Sequence, residues 1–506
     1  MTAGATAATE PVLSPSHRRR RLLAEHGPIL AALVLAVVIR AVVQAAFWPA
    51  FIHGDSPAYL MLIDQLEPFP DRPVGYVLLL LYPLARVADH VALVAIVQHV
   101  LGLATAVVLY ALVRRWGVGR WLAVVATLPV LFDYLQLNLE HSVLSDVLFE
   151  LMVVGGIAVL SWRRRLSFPY ALVGGLILGA SVIVRLVGEP LILAGIVFCL
   201  LIGTGWRERL LTTVAVTIGF LIPLGAYSSW YHHEHGIYAL SQFSGKSLYL
   251  RSTSFVDCSK ISVPDYQRVL CPPEPVGERR DPTDYVFHDT DTIPELHPPP
   301  GTTVDQALRQ FAFAAIRAQP LDYAHIVVRD FFLNFKPTRV DDYEYDTAHK
   351  WGFDDYVDLE PTSWTGPAFE AHGGEQQQTT QPFADALVRY QKYSYLPGPL
   401  LLVCLLLGLV GAVGVGRART SGLRSVTFLL LATGTGLILV PDVTAEFVWR
   451  YQLPAIALLP AAAVLAFTGL RGLPARDAAG PSTAGELDDP DNDQVDAARV
   501  ATASTD

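Results

Sequence analysis

The sequence predicts a polytopic α-helical membrane protein of about ten transmembrane helices, with an extracytoplasmic domain, mixed α/β or irregular, between helices 7 and 8. Three observations predict it. Of 506 residues, 52% are hydrophobic and only 17% are charged, a balance too apolar for a soluble chain of this length. The apolar residues fall in blocks of about 17–25, the length that crosses roughly 30 Å of hydrocarbon. Arginines gather in alternate connections, as the positive-inside rule requires of cytoplasmic loops.

Residues 1–26 form a tail ending in "HRRRRLLAEH", and the chain turns apolar at Ile29. No small-residue cleavage site closes this apolar stretch, so 27–47 reads as a retained signal anchor. Arg18–Arg21 hold the N-terminus in the cytoplasm. Residues 48–90 then make one long outer loop. Its segment "GYVLLLLYPLARVADH" (75–90) has only about 10–12 apolar residues and is interrupted by Pro83, so it reads as a re-entrant or interfacial helix. The next apolar blocks lie near 91–113, 121–137, 143–161, 170–187, 191–205 and 210–229. Together with the anchor they complete a membrane core over 27–231.

Residues 232–397 are polar and aromatic, long enough for one outer domain. Three more spans fall within 398–471, near 399–415, 426–441 and 455–470. The basic loops "RRWGVGR", "WRRRL", "WRER", "RARTSGLR" and "RGLPAR" all land on the side of the N-terminus. Both termini are thus expected in the cytoplasm. The tail 472–506 is acidic, lacks aromatics and reads as disordered. Net charge is −10, but acids concentrate in 232–397 and the tail. No cluster of bases with interleaved aromatics is present, which argues against a nucleic-acid partner. Cys258 and Cys271 share the outer segment and are expected to form a disulfide, while Cys199 and Cys404 fall in spans.

The stretch "FIHGDSPAYL" (51–60) puts Asp55 at the membrane's outer edge. Ser56 is a natural N-cap and Pro57 suits the first helical position. Tyr59, Leu62, Ile63 and Leu66 make one apolar stripe, so a helix lying on the membrane surface is expected with Asp55 at its positive end. Asp55 then either caps that helix or acts as a base. Charges in spans are functional candidates by default. Arg40 could snorkel to the interface; His99 and Asp133 are expected to make internal hydrogen bonds. Arg72, Arg185 and Arg450 lie at outer ends of different elements, with Glu189 and Tyr451 beside them. Each could be an ordinary helix-end anchor, or they could converge on one phosphate. Glu140, His141 and Asp146 share the outer turn before the fourth span, where His141 could touch only water, orient an acceptor or join Asp55 at a metal.

"GDSPAYL", then "DRPVGYVLLLLYPL" (71–84), then "LEHSVLSDVLFELM" (139–152) resembles bacterial GT-C glycosyltransferases of the protein-mannosyltransferase and aminoarabinose-transferase type. The resemblance covers roughly residues 27–230, with an echo in "EFVWRYQLP" (446–454). In that family an outer loop carries an essential Asp, followed by an Arg-Pro segment ending in Gly-Tyr, and a Ser-Glu-x-Leu-Phe-like stretch opens the fourth span. Here these positions hold Asp55, Arg72 to Tyr76, and Ser145 to Phe149, with Asp146 in place of the Glu and the single acid Asp55 where many members carry a pair.

The resemblance implies transfer of a sugar, with inversion, from a polyprenyl-phosphate donor to an acceptor hydroxyl outside the membrane. The acceptor would be an envelope glycan, a lipid or a protein. Asp55 would be the base and Arg72, Arg185, Arg450 and Tyr451 the phosphate-binding set. Tyr59, Tyr76, Glu140, His141, Asp146, Glu189, Lys336 and Arg339 would support the site or bind acceptor. A divalent metal, Mg²⁺ or Mn²⁺, stays open as a cofactor. The preference for Arg over Lys and the abundant Ala point to a high-GC bacterium, hence to its plasma membrane and cell-wall building.

Other motifs in the outer segment carry less. "HHEH" (232–235) is a short cluster at a span end. "FSGKS" (243–247) lacks the upstream Gly of a P-loop, Leu240 standing there. "DTD" (289–291) recurs in nucleotide-sugar enzymes, whose substrates are inside. "RDFFLNFKPTRVDDYEY" (329–345) could roof the site, with Lys336 and Arg339 among sugar-stacking aromatics, or be packed core. The competing classes are a transporter or flippase, which would show two similar halves, and an inactive scaffold on the same fold.

Overall fold

The structure, a computed structural model, describes residues 15–288, 293–339, 348–354, 366–374 and 378–472. "DTD", residues 340–345 of the aromatic stretch and the tail from 473 lie outside these. The described residues all belong to one compact unit.

Helix α1 (Pro15–Ala46) leads into a two-residue strand β1 (Phe47–Trp48), paired antiparallel with β2 (Gln378–Thr379). Next come α2 (Ser56–Asp64), one π-helical turn (Val77–Leu81) and the short α3 (Tyr82–Ala85). The membrane core continues through α4 (Val91–Arg115), α5 (Arg120–Phe132), α6 (Tyr134–His141), α7 (Asp146–Ser161), α8 (Phe168–Val184), α9 (Leu191–Ile202) and α10 (Trp206–His235). The outer segment carries α11 (Ser244–Thr253), α12 (Val304–Ala318), α13 (Pro320–Leu333), α14 (Gly366–Ala371) and α15 (Phe383–Gln391). The chain then returns through α16 (Gly398–Val413), α17 (Arg424–Thr444) and α18 (Leu453–Leu470).

A helix stands at each apolar block of the sequence. Among the described residues, five are long and apolar enough to cross a membrane: Ala24–Ala46, Val91–Arg115, Trp206–His235, Arg424–Thr444 and Trp449–Leu470. The pair α5 and α6 passes the same test as one span bent by 48°. Phe168–Val184, Leu186–Ile202 and Gly398–Val413 are apolar but shorter. Asp133 makes the bend: it ends α5, and its side chain accepts a hydrogen bond from the Leu135 amide at 2.9 Å to cap α6. Helix α18 is buried almost all round, consistent with its unbroken apolar sequence and a central place in the bundle.

The described part of the outer segment is helical and irregular, with β2 as its strand, so a mixed α/β domain is not what forms there. It holds a small core of its own, including Tyr249, Phe255, Leu270 and Phe311. Helix α12 starts on a complete capping box, Thr303 with Gln306. Cys258 and Cys271 are disulfide-bonded, while Cys199 is buried and Cys404 half-buried as free thiols.

Two glycine contacts set distances that matter. On α8, Cβ atoms at Gly175 and Gly179 would overlap the carbonyls of Val216 and Phe220 on α10, so these helices touch through their backbones. In the outer loop, a Cβ on Gly75 would overlap the Ile183 carbonyl and lie 2.8 Å from the Val184 amide. That contact draws the Arg72 loop onto the end of α8, where Arg185 follows. Because the obstacle is backbone, it cannot rotate away. Gly75→Ala is therefore expected to lower stability by about 1–3 kcal/mol, read as a lower unfolding midpoint in detergent; an unchanged midpoint would show that the loop is loosely held.

Candidate functional site

Asp55 occupies the N-cap position of α2, but its side chain makes no capping hydrogen bond. Ser56 is the first helical residue rather than the cap, and its hydroxyl donates to the Val143 carbonyl at 2.9 Å. Helix α2 is not a surface helix either. Ser56 to Leu60, Leu62 and Ile63 are all buried, and the Val77–Leu81 turn and α14 of the outer segment pack against it. Backbone hydrogen bonds from Phe51 to His141 and from Val143 to Phe51 zip that loop to the turn before α7. Asp55 is thereby carried to the mouth of the bundle.

The Asp55 carboxylate sits between two guanidiniums, Arg72 at 2.7 Å and Arg450 at 2.8 Å. Arg72 comes from the first outer loop and Arg450 from the 3₁₀ turn before α18. Arg185, at the end of α8, pairs with Asp146, the first residue of α7. Aromatic rings tie the pairs together. Tyr451 lies 5.5 Å from the Arg185 guanidinium and 5.4 Å from that of Arg450; Tyr59 lies 5.4 Å from that of Arg72. Arg72, Arg185 and Arg450 thus meet, with Asp55, Asp146, Tyr59 and Tyr451, although they are far apart in sequence. Three guanidiniums against two carboxylates leave this group one positive charge in excess.

Burial works to raise the Asp55 pKa. The charges of Arg450 and Arg72, the Arg450 hydrogen bond and the more distant Arg185 outweigh it and hold the carboxyl well below the usual carboxylate range. The side chain keeps 28% of its surface exposed, so an incoming group can reach it. The ring of His53, two residues earlier, lies 4.7 Å from that of Trp351, tilted by 40°, and its Nε2 lies 3.1 Å from the Ser142 hydroxyl. Burial, then the charges of Lys350 and Arg450, lower its pKa to about 3, so it is neutral near pH 7. Trp351 also faces the Arg450 guanidinium at 5.2 Å and closes the cluster from the side of the outer segment.

Several predicted site residues stand elsewhere. Glu140 and His141 are fully buried on α6, not in a water-facing turn. Glu140 pairs with Arg40 at 2.6 Å and His99 at 2.8 Å, in space that Gly102 leaves open. His141 contacts the Phe47 carbonyl and His99. Arg40 does not snorkel: it is 3% exposed and also donates to the carbonyls of Val130 and Leu131. This network braces α1, α4 and α6 under the site. Tyr76 is buried, bonded to Gln98 at 2.8 Å, and meets the Tyr59 ring edge-on at 5.0 Å. Glu189 is exposed and, among the described residues, has no ion-pair partner.

Arg339 does not face an open site. It forms a two-pronged pair with Asp133, at 2.8 and 3.1 Å, and is 4% exposed. Burial works against its charge, but Asp133 outweighs that and keeps its pKa above the ordinary value. Asp133 is therefore an ion-pair partner as well as a hydrogen-bond acceptor. Lys336 is half-buried near the start of α16. His235 bonds the Pro68 carbonyl and His232 stacks on Tyr238, while Lys246 pairs with Asp71 at 2.6 Å. Among the described residues no three His, Cys, Asp or Glu side chains are grouped to hold a metal ion, so the Mg²⁺ or Mn²⁺ alternative finds no ligand set there.

Sequence reading misses His53, Gln98, Trp351 and the buried pair Arg251–Asp330 (2.6 Å). His53 lies inside the Asp55 stretch and can be found by its nearness to that acid. Trp351 carries no local signal.

No family model and no curated protein matches the chain. Among solved structures it is similar to the S. cerevisiae protein O-mannosyltransferase Pmt1–Pmt2 complex bound to its sugar donor, at 15% identity and a TM-score of 0.33. The match covers 51% of this chain and 37% of that one.

Proposed function

We propose that this chain is an integral membrane glycosyltransferase that moves a sugar from a polyprenyl-phosphate donor to an acceptor hydroxyl on the extracytoplasmic face. One observation carries the reading: guanidiniums from three separate elements gather at the edge of an apolar helical bundle, Arg72 and Arg450 on Asp55 and Arg185 on the neighbouring Asp146. A lipid-borne phosphate would lie at that edge, with its tail among the helices. Cations aimed at a departing phosphate act strongly where water is scarce.

The resting contacts suggest an order of events. Asp55 sits where a phosphate would sit, neutralising Arg72 and Arg450. An entering phosphodiester takes over those guanidiniums and frees the carboxylate, whose basicity then rises. The acceptor hydroxyl attacks the anomeric carbon, and its proton passes to Asp55. The bond from anomeric carbon to phosphate oxygen breaks, and the electron pair leaves on the lipid phosphate. Configuration at the anomeric carbon inverts. An arrangement of about ten spans, both termini inside, in a bacterial plasma membrane belongs to the same proposal.

The test is sugar transfer by purified protein from a panel of radiolabelled polyprenyl-phosphate sugars, with a native membrane fraction as acceptor. Transfer from one donor is the expected result. No transfer from any donor would move the reading to a transporter or a scaffold.

A further inference from the structure

A second basic site lies at the opposite end of the bundle. Helix α17 starts at Arg424 and ends at Thr444, whose carbonyl accepts a hydrogen bond from Ser247 of the outer segment. Helix α18 starts beside Arg450 and runs back to Gly469, which abuts Ser421. At 1.5 Å per residue the start of α17 is about 30 Å from the Asp55 cluster. There the ends of α4, α9 and α16 and the start of α17 surround a cavity of about 340 Å³.

Its lining pairs two guanidiniums, Arg164 and Arg424, and two hydroxyls, Ser421 and Ser425, with an apolar wall that includes Trp116 and Leu201. Among the described residues none that lines it is acidic. Arg424 is placed by its surroundings: its guanidinium lies over Gly414, and Nε donates to the Ala412 carbonyl at 3.4 Å. Leu201 is 52% exposed on the outer surface of the bundle, so the cavity opens next to the face that acyl chains would cover. Two cations, the Ser425 hydroxyl and an adjoining apolar wall suit a phosphate with a hydrocarbon attached. Basic pockets between helices at the cytoplasmic boundary hold anionic headgroups in this way.

We infer that this cavity is a phosphate-binding site, separate from the Asp55 cluster and independent of the reaction assigned there. The ligand chemistry is a phosphate group, borne either by an anionic phospholipid or by a free phosphate.

The test uses full-length protein in detergent, with phosphatidylglycerol, phosphatidylcholine or inorganic phosphate added, read by unfolding midpoint and by lipid retained in native mass spectrometry. Wild type is expected to retain phosphatidylglycerol over phosphatidylcholine and to melt higher with it. In Arg164→Gln/Arg424→Gln the apparent affinity falls roughly tenfold, while the midpoint in phosphatidylcholine stays at the wild-type value. Stabilisation by inorganic phosphate alone would assign the site to a free phosphate. Should the double variant not fold, wild type alone decides: equal retention of the two lipids, without any effect of phosphate, overturns the inference. Equal phosphatidylglycerol affinity in wild type and a folded double variant overturns it as well.

Discussion

Replacing Asp55 with Asn is expected to cut sugar transfer by roughly 10²–10⁴-fold, the contribution of a positioned general base, while donor binding holds or tightens. The two effects have separate causes. Asn keeps the size of the side chain and the α2 start, but it cannot take the acceptor's proton. It also releases Arg72 and Arg450, which in the resting protein lie 2.7 and 2.8 Å from the carboxylate. Those guanidiniums no longer need to be drawn away from Asp55 before they meet a phosphate, so the dissociation constant for donor should fall. Equilibrium binding of labelled donor and single-turnover transfer measure the two separately. A variant that loses donor binding along with turnover would show that Asp55 orders the arginines instead of serving as base. Full turnover would leave it as a plain ion-pair anchor.

The pH behaviour has a definite sign. The resting Asp55 pKa lies well below the usual carboxylate range, so the carboxylate stays ionised as pH falls from 8 to 5. A fall in kcat/KM over that interval, which reports the free protein, would have to come from another group. His53 is not that group, because with a pKa lowered to about 3 it stays neutral throughout.

How far the site can be read in the sequence depends on the kind of contact. Helices announce themselves through apolar blocks, since each must present a continuous apolar surface to protein or lipid. Arg72, Arg185 and Arg450 can be selected one at a time, because a cation at an outer helix end is rare enough to notice. Their meeting cannot be derived, since it depends on Gly75 against Ile183 and on the pairing of the 49–55 loop with the 141–143 turn. Glu140 misleads for a related reason. By sequence it belongs to a turn, but α5 and α6 bend at Asp133 and carry it inward to Arg40 and His99. The start of α2 misleads by one residue: Ser56 has the chemistry of a cap, yet its hydroxyl is taken by Val143 across the loop.

The largest effect on stability is expected at the pair that anchors the outer segment. Arg339→Leu should destabilise by about 3–5 kcal/mol, the cost of leaving a buried charge without its partner. Asp133 is fully buried and accepts, besides Arg339, the amides of Leu135 and Leu396. With Arg339 gone, two backbone donors must hold a full negative charge at the bend of α5 and α6, beside an apolar core. The loss therefore reaches both the outer segment and the membrane helices. Adding Asp133→Asn to Arg339→Leu removes the stranded charge while keeping an oxygen for the α6 cap, and should recover most of the loss. Arg268→Leu is the control. Its pair with Asp265 is 73% and 96% exposed, and the change should stay within about 0.5 kcal/mol. Unfolding midpoints in one detergent compare the four proteins. If Arg339→Leu costs no more than Arg268→Leu, the buried pair is not what fastens the outer segment to the bundle. If the double variant is as unstable as the single, lost packing rather than stranded charge is the cause.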